Sequence, residues 1–176
     1  MKKLFQFAIV AVLAAGLVAC AKSENKTEGS ASAETSVSAQ DAAEAVAEND
    51  YYKIANIPAG WEKGNVDSEK TIVINLKPGT ELGDFENVSF TLFEDFAEPQ
   101  QYIDEILNNN ASDCRQAEDL KIGEQTYKQL IWNDNADNGI TFVTQSPKGV
   151  IDVTLSKKLD LDNPDVKAII ESFTIK

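Results

Sequence analysis

The sequence predicts an α+β domain, an α/β/α sandwich with a central, mainly antiparallel sheet and two amphipathic helices. Apolar residues alternate in short runs through most of residues 51–176, the period of strands with one buried face. Two stretches switch instead to helical spacing, and the strands between them are joined by turn sequences too short for parallel crossovers.

Taken in order, Tyr52 and Ile54 share one face of a strand leading into "IPAGW". Ile72, Ile74 and Leu76 alternate in the next, which stops at Pro78-Gly79, and Val88, Phe90 and Leu92 give a third. In "EDFAEPQQYIDEILNNN", Tyr102, Ile103, Ile106 and Leu107 form one helical face, with Pro99 suited to the first turn and Asn108–Asn110 to the end. "LKIGEQTYKQLIW" reads as two strands broken at Gly123-Glu124, and "ITFVTQ" and "VIDVTLS" as a hairpin turning at Ser146-Pro147-Lys148-Gly149. In "DNPDVKAIIESFTIK", Asp162 or Asn163 caps a helix with Pro164 in its first turn, while Val166, Ile169, Ile170 and Phe173 face inward. Phe173 to Ile175 return as a short strand. Both helices are expected to cover the sheet.

The order of these elements, with "IPAGW" near the start, "LKIGEQTYKQL" in the middle, the "TFVTQSPKGVIDVTLS" hairpin and "NPDVKAIIESFTI" at the end, resembles a PsbP-like domain over residues 51–176. That fold occurs in the PsbP extrinsic protein of photosystem II, in a eukaryotic Ran-binding import factor and in many bacterial lipoproteins. The resemblance makes Pro58, Gly60 and Trp61 a turn with an aromatic anchor, and Ile170 and Phe173 core. It transfers no catalytic residue, and it implies binding or assembly roles more often than enzymes.

Ahead of the domain, Lys2 and Lys3 precede an apolar run from Leu4 to Val18 interrupted by Gln6, the layout of a secretory signal. At 15 residues it is shorter than the roughly 20 of a membrane-spanning helix. Leu17-Val18-Ala19-Cys20 resembles the bacterial lipobox. The resemblance implies that residues 1–19 are removed and Cys20 carries a thioether-linked diacylglycerol, often with an amide-linked acyl chain such as palmitate. Two or three chains, at about 0.8 kcal/mol per buried CH₂, hold a protein at a membrane essentially permanently. The expected place is the cell envelope outside the cytoplasm. Ala21 lacks the aspartate that retains many enterobacterial lipoproteins at the inner membrane, so the periplasmic face of the outer membrane is expected in a cell with two.

Residues 20–50 read as the lipidated cysteine and a disordered tether. Positions 21–50 hold eight Ala, five Ser and seven acids against two Lys, too little apolar surface to offset ordering entropy. "SAQDAAEAVAEND" has the composition of a transient helix but no apolar stripe to hold it. A flexible coil of that length reaches about 30 Å. Loss of Lys2 and Lys3 with the signal takes the formal charge from −13 to −15. That balance excludes nucleic acid and bare anionic lipid as partners. The expected contacts are the membrane, through the lipid on Cys20, and an unidentified protein partner.

Chemistry is sparse. The chain has no histidine, so histidine triads and histidine-ligated metals are out, and no residue has an ordinary pKa near neutrality. GxxxxGK[ST] and GxGxxG are both absent. In "NDNADNG", residues 133–139, a calcium-loop alignment puts Asp134, Ala136 and Asn138 at the first, third and fifth positions and Gln145 at the twelfth. The bidentate glutamate is missing, and Asn138-Gly139 reads better as a hairpin turn with positive φ. "LDLDNPD" at 159–165 fails with Pro164 at a ligand position, its acids suiting a helix N-terminus. Glu94, Asp95 and Glu98 are acids that could serve glycoside hydrolysis or, more simply, the start of the first helix. Trp61 and Trp132 read as stacking platforms or, preferably, as packing residues. Cys114, left unpaired if Cys20 is acylated, is either a reactive thiol lowered by Arg115 or a small, partly buried residue, the second being favoured. No catalytic, cofactor or metal site is expected, and the leading function is a non-enzymatic, lipid-anchored envelope protein that binds a partner or assists an assembly. The alternative is an envelope binding module for a small ligand or cation.

Overall fold

The computed structural model describes residues 45–78, 86–110, 112–133 and 136–176, all within the unit formed by Gln40–Lys176. Cys20 and the expected signal peptide lie outside the described residues. Ten strands and two helices follow one another as β1 (Ala45–Glu48), β2 (Tyr52–Ile57), β3 (Trp61–Lys63), β4 (Thr71–Leu76), β5 (Asn87–Phe93), α1 (Pro99–Asn110), β6 (Cys114–Ile122), β7 (Gln125–Trp132), β8 (Asn138–Ser146), β9 (Gly149–Ser156), α2 (Pro164–Glu171) and β10 (Phe173–Ile175). The fold class is α+β, as expected, with every described strand pair antiparallel.

Seven strands form the main sheet in the order β3-β4-β5-β9-β8-β7-β6. Two meanders run toward each other and meet where β5 pairs with β9, Phe90 opposite Val153. One correction concerns the remaining strands. β10 returns, but to β2 in a separate three-stranded sheet, β1-β2-β10, with Phe173 opposite Ile54. Local alternation specifies a face and not a partner, so the sequence pattern does not separate the two sheets.

A second correction moves the start of the domain. Ala45–Glu48, expected in the tether, is strand β1, and Ala47 is buried. The open edge of β2 offers these four residues a ladder, with Glu48 opposite Lys53, and tertiary pairing overrides the helix preference of alanine and glutamate.

Two apolar clusters lie on the opposite faces of the main sheet. On one face Ile72, Val88, Phe90, Ile151, Val153 and Leu155 meet β2, β10 and α2 through Tyr52, Ile54, Phe173, Val166, Ile169 and Ile170. Tyr52, Phe90 and Phe173 form its aromatic centre, with ring centroids 5.3–6.2 Å apart. α2 is set by Asn163, whose side chain accepts hydrogen bonds from the Asp165 and Val166 amides at 2.9 and 3.3 Å, the cap that Asp162 or Asn163 was expected to supply. On the other face α1 packs on β6, β7 and β8, burying Tyr102 and Ile103 against Cys114, Leu130, Val143 and Val150. Asn109 and Asn110 close α1 by donating to the Glu105 and Ile106 carbonyls. Among the described residues, no helix is long and apolar enough to cross a membrane.

Candidate functional site

The α1 side of the main sheet is covered unevenly. With α1 over β6–β8, the same face of β4 and β5 presents half-buried Thr71, Val73, Asn75, Asn87, Ser89 and Thr91, with no helix over them among the described residues. Where β5 and β8 begin and β9 ends, this face opens into a cleft of about 390 Å³ lined by Glu86, Asn87, Ser89, Asp137, Asn138, Thr154, Ser156, Lys157 and Lys158. Its floor is ordered: Glu86, 8% exposed, accepts from the Ser156 hydroxyl and pairs with Lys158 at 3.4 Å, while Ser156 accepts from the Asn87 amide at 2.9 Å. Hydroxyls, amides and charges of both signs line it, a surface suited to hydrogen-bonding ligands of balanced charge.

A buried polar network lies between this cleft and α1. Asp152, in the middle of β9, is 8% exposed. Strand alternation carries its side chain to the α1 face, opposite Thr91 and Val143. The Tyr102 hydroxyl donates to Asp152 Oδ2 at 2.8 Å, and the Thr154 hydroxyl donates to Oδ1 at 2.6 Å. Thr154 lies 2.8 Å from the Thr141 hydroxyl, which accepts from Trp132 Nε1 at 2.9 Å. Burial pushes the Asp152 carboxyl up to about 6, a rise partly offset by the hydrogen bonds from Thr154 and Tyr102. Burial also raises Tyr102, and the adjacent Asp152 charge adds to that rise.

The residues singled out from the sequence fall elsewhere or take structural roles. Trp61 is 2% exposed and donates from Nε1 to Asp165 Oδ2 at 3.1 Å, so it is a core residue that ties β3 to α2. Trp132 is half-buried against the α1 cluster. Cys114 is buried, and burial followed by the Asp113 charge raises its thiol, the reverse of what activation by Arg115 requires. Glu94, Asp95 and Glu98 are exposed, and Glu94 pairs with Lys70. Asp134 lies outside the described residues. Asn138 and Gly139 open β8 without positive φ, which corrects the expected turn conformation. Gly139 is needed for closeness instead: a Cβ there would stand 3.1 Å from the Lys157 carbonyl oxygen. Among the described residues, no group of three His, Cys, Asp or Glu is placed to hold a metal.

Asp152 and Glu86 are not among the residues singled out from the sequence. For Asp152 a signal was present, an acid inside the otherwise apolar and β-branched run "VIDVTL". Glu86 carried none, since its partners Ser156 and Lys158 are about 70 residues away in sequence.

No protein-family model matches the sequence, and no curated protein does. Solved structures similar to this chain include the following two. One is the solution structure of the cyanobacterial PsbP protein CyanoP from Synechocystis, with a TM-score of 0.45 and 16% identity over 81% of this chain and 99% of that one. The other is a crystal structure from Bacteroides thetaiotaomicron, with a TM-score of 0.43 and 16% identity over 71% of this chain. The matched region spans 45% of the Bacteroides chain.

Proposed function

We propose that this is a non-enzymatic, lipid-anchored cell-envelope protein whose PsbP-like domain binds a protein partner or assists an assembly. The observation that carries the reading is the half-covered sheet face: β4 and β5 present a row of half-buried hydroxyl, amide and Val73 side chains beside a polar cleft. A face of mixed polarity on a rigid sheet suits a non-obligate interface, which is about as apolar as ordinary protein surface. The lipobox ending at Cys20 supports the anchor, and the acidic tether gives the domain reach from the membrane. Fatty-acid labelling tests the anchor: label on the wild-type chain and none on Cys20→Ser is expected, and equal labelling of both would overturn it. For the interface, Val73→Asp combined with Ser89→Arg is expected to abolish co-purification of a partner from native membranes while the domain stays folded. An unchanged set of co-purified proteins would remove this face from consideration.

The ordered floor of the cleft favours a second reading, a binding module for a small polar ligand. Under it, a screen of amino acids, short peptides, sugars and calcium raises the thermal midpoint for one class, and Ser156→Val removes the rise.

A further inference from the structure

We propose that Asp152 makes the hydrogen-bonding sense of its two partners, Tyr102 under α1 and Thr154 at the cleft, responsive to pH.

The proton count of the network gives it a direction. The Trp132 indole N–H can only donate. Thr154 has one hydroxyl proton, given to Asp152 Oδ1, so the bond between Thr141 and Thr154 must be donated by Thr141. The chain therefore runs Trp132 to Thr141 to Thr154 to Asp152, and Tyr102 adds a second donor at Oδ2. Every proton points toward the carboxyl, an arrangement matched to its ionised form.

A neutral Asp152 breaks this consistency. With its proton on Oδ1, the acid donates to Thr154, which still accepts from Thr141. Thr154 must then turn its own proton away, and Thr154 lines the cleft. With the proton on Oδ2, the acid donates to the Tyr102 oxygen, which keeps the contact between α1 and β9 with donor and acceptor exchanged, and Tyr102 must turn its own proton elsewhere. In the ionised state Thr154 gives the cleft no donor; in the neutral state it can.

Few other groups act on this site. From α1 the titratable group facing Asp152 is Tyr102. β5 places Thr91 opposite it, and β8 places Val143. β6 contributes Cys114 to the same cluster, its thiol raised by burial. The described contacts of Asp152 include no Lys or Arg. Burial raises its carboxyl to about 6, against about 3.9 for an unfolded chain. The contribution to stability is therefore fully present below about pH 4 and is lost as pH rises through about 6. Any ligand that needs a donor from Thr154 binds more tightly on the acid side, and by linkage it raises proton affinity at Asp152.

The test is a carbon-detected NMR titration of the full chain from pH 4 to 8, with thermal midpoints measured at each pH. The Asp152 carboxyl is expected to titrate near 6, with the Thr154 methyl shift following the same midpoint. The thermal midpoint of Asp152→Asn should move upward relative to wild type as pH rises. Tyr102→Phe, which removes a donor to the ionised form, should raise the Asp152 midpoint further. A carboxyl titrating near 4, a Thr154 signal flat through the Asp152 transition, or a Tyr102→Phe variant with an unmoved midpoint would each overturn the proposal.

Discussion

The same substitution at two buried tyrosines should have opposite consequences. Tyr102 donates to the Asp152 carboxylate at 2.8 Å, whereas Tyr127, fully buried in the other cluster, has a hydroxyl with no hydrogen-bond partner among the described residues. Burial alone raises the Tyr127 hydroxyl. Both changes to Phe keep the ring and its contacts, including the edge-on packing of Tyr127 against Phe142 at 5.9 Å. At Tyr102 the loss is a hydrogen bond to a charged group, worth about 2 kcal/mol, which lowers the thermal midpoint by about 8 °C in a domain of this size. At Tyr127 the change removes a desolvated hydroxyl and should be neutral or stabilising by up to about 1 kcal/mol. Urea denaturation at pH 7.5 measures both. The deficit of Tyr102→Phe should shrink toward pH 4.5, because a raised carboxyl becomes neutral there and no longer needs two donors. Equal losses for the two variants, or a larger loss at Tyr127, would refute the reasoning.

Three other outcomes are expected. Gly149 has φ of +140°, and a Cβ there would lie 2.2 Å from the Phe93 carbonyl oxygen, so Gly149→Ala should destabilise by at least about 3 kcal/mol in urea titration; a loss below 1 would contradict the β5–β9 packing at that point. Asn163→Ala should lose about 1 kcal/mol through the α2 cap, with Asn163→Asp recovering most of it in the same assay. Cys114, buried and raised by burial, should react with iodoacetamide at pH 8 at least about tenfold more slowly than a free thiol, and at the free-thiol rate only after unfolding.

Periodicity made much of the fold legible. Ile72, Ile74 and Leu76 share the core face with Val88, Phe90 and Leu92, and Tyr102 with Ile103 marks the buried stripe of α1. Those patterns are local, and so is the side-chain capping by Asn163. What escaped is nonlocal. Ala45–Glu48 has helical composition, and only the free edge of β2 makes it a strand. Phe173–Ile175 alternates equally well for either sheet, and its place beside β2 is set by the aromatic contacts of Phe173 with Tyr52 and Phe90. The candidate site shows the same division. The acid in "VIDVTL" is visible in sequence, but its donors arrive from α1 and from Thr154, which Thr141 of β8 supplies in turn. The cleft joins the starts of β5 and β8 to the end of β9, three segments with no shared motif.

Partner binding through the open sheet face is tested most directly by photo-crosslinking in native membranes. A photoreactive residue replaces Ser89, on that face, or Thr174, exposed on β10 of the other sheet. A discrete adduct from position 89, absent from position 174 and lost when Cys20→Ser releases the lipid anchor, is the predicted result. No adduct from position 89, or the same adduct from both positions, would contradict it.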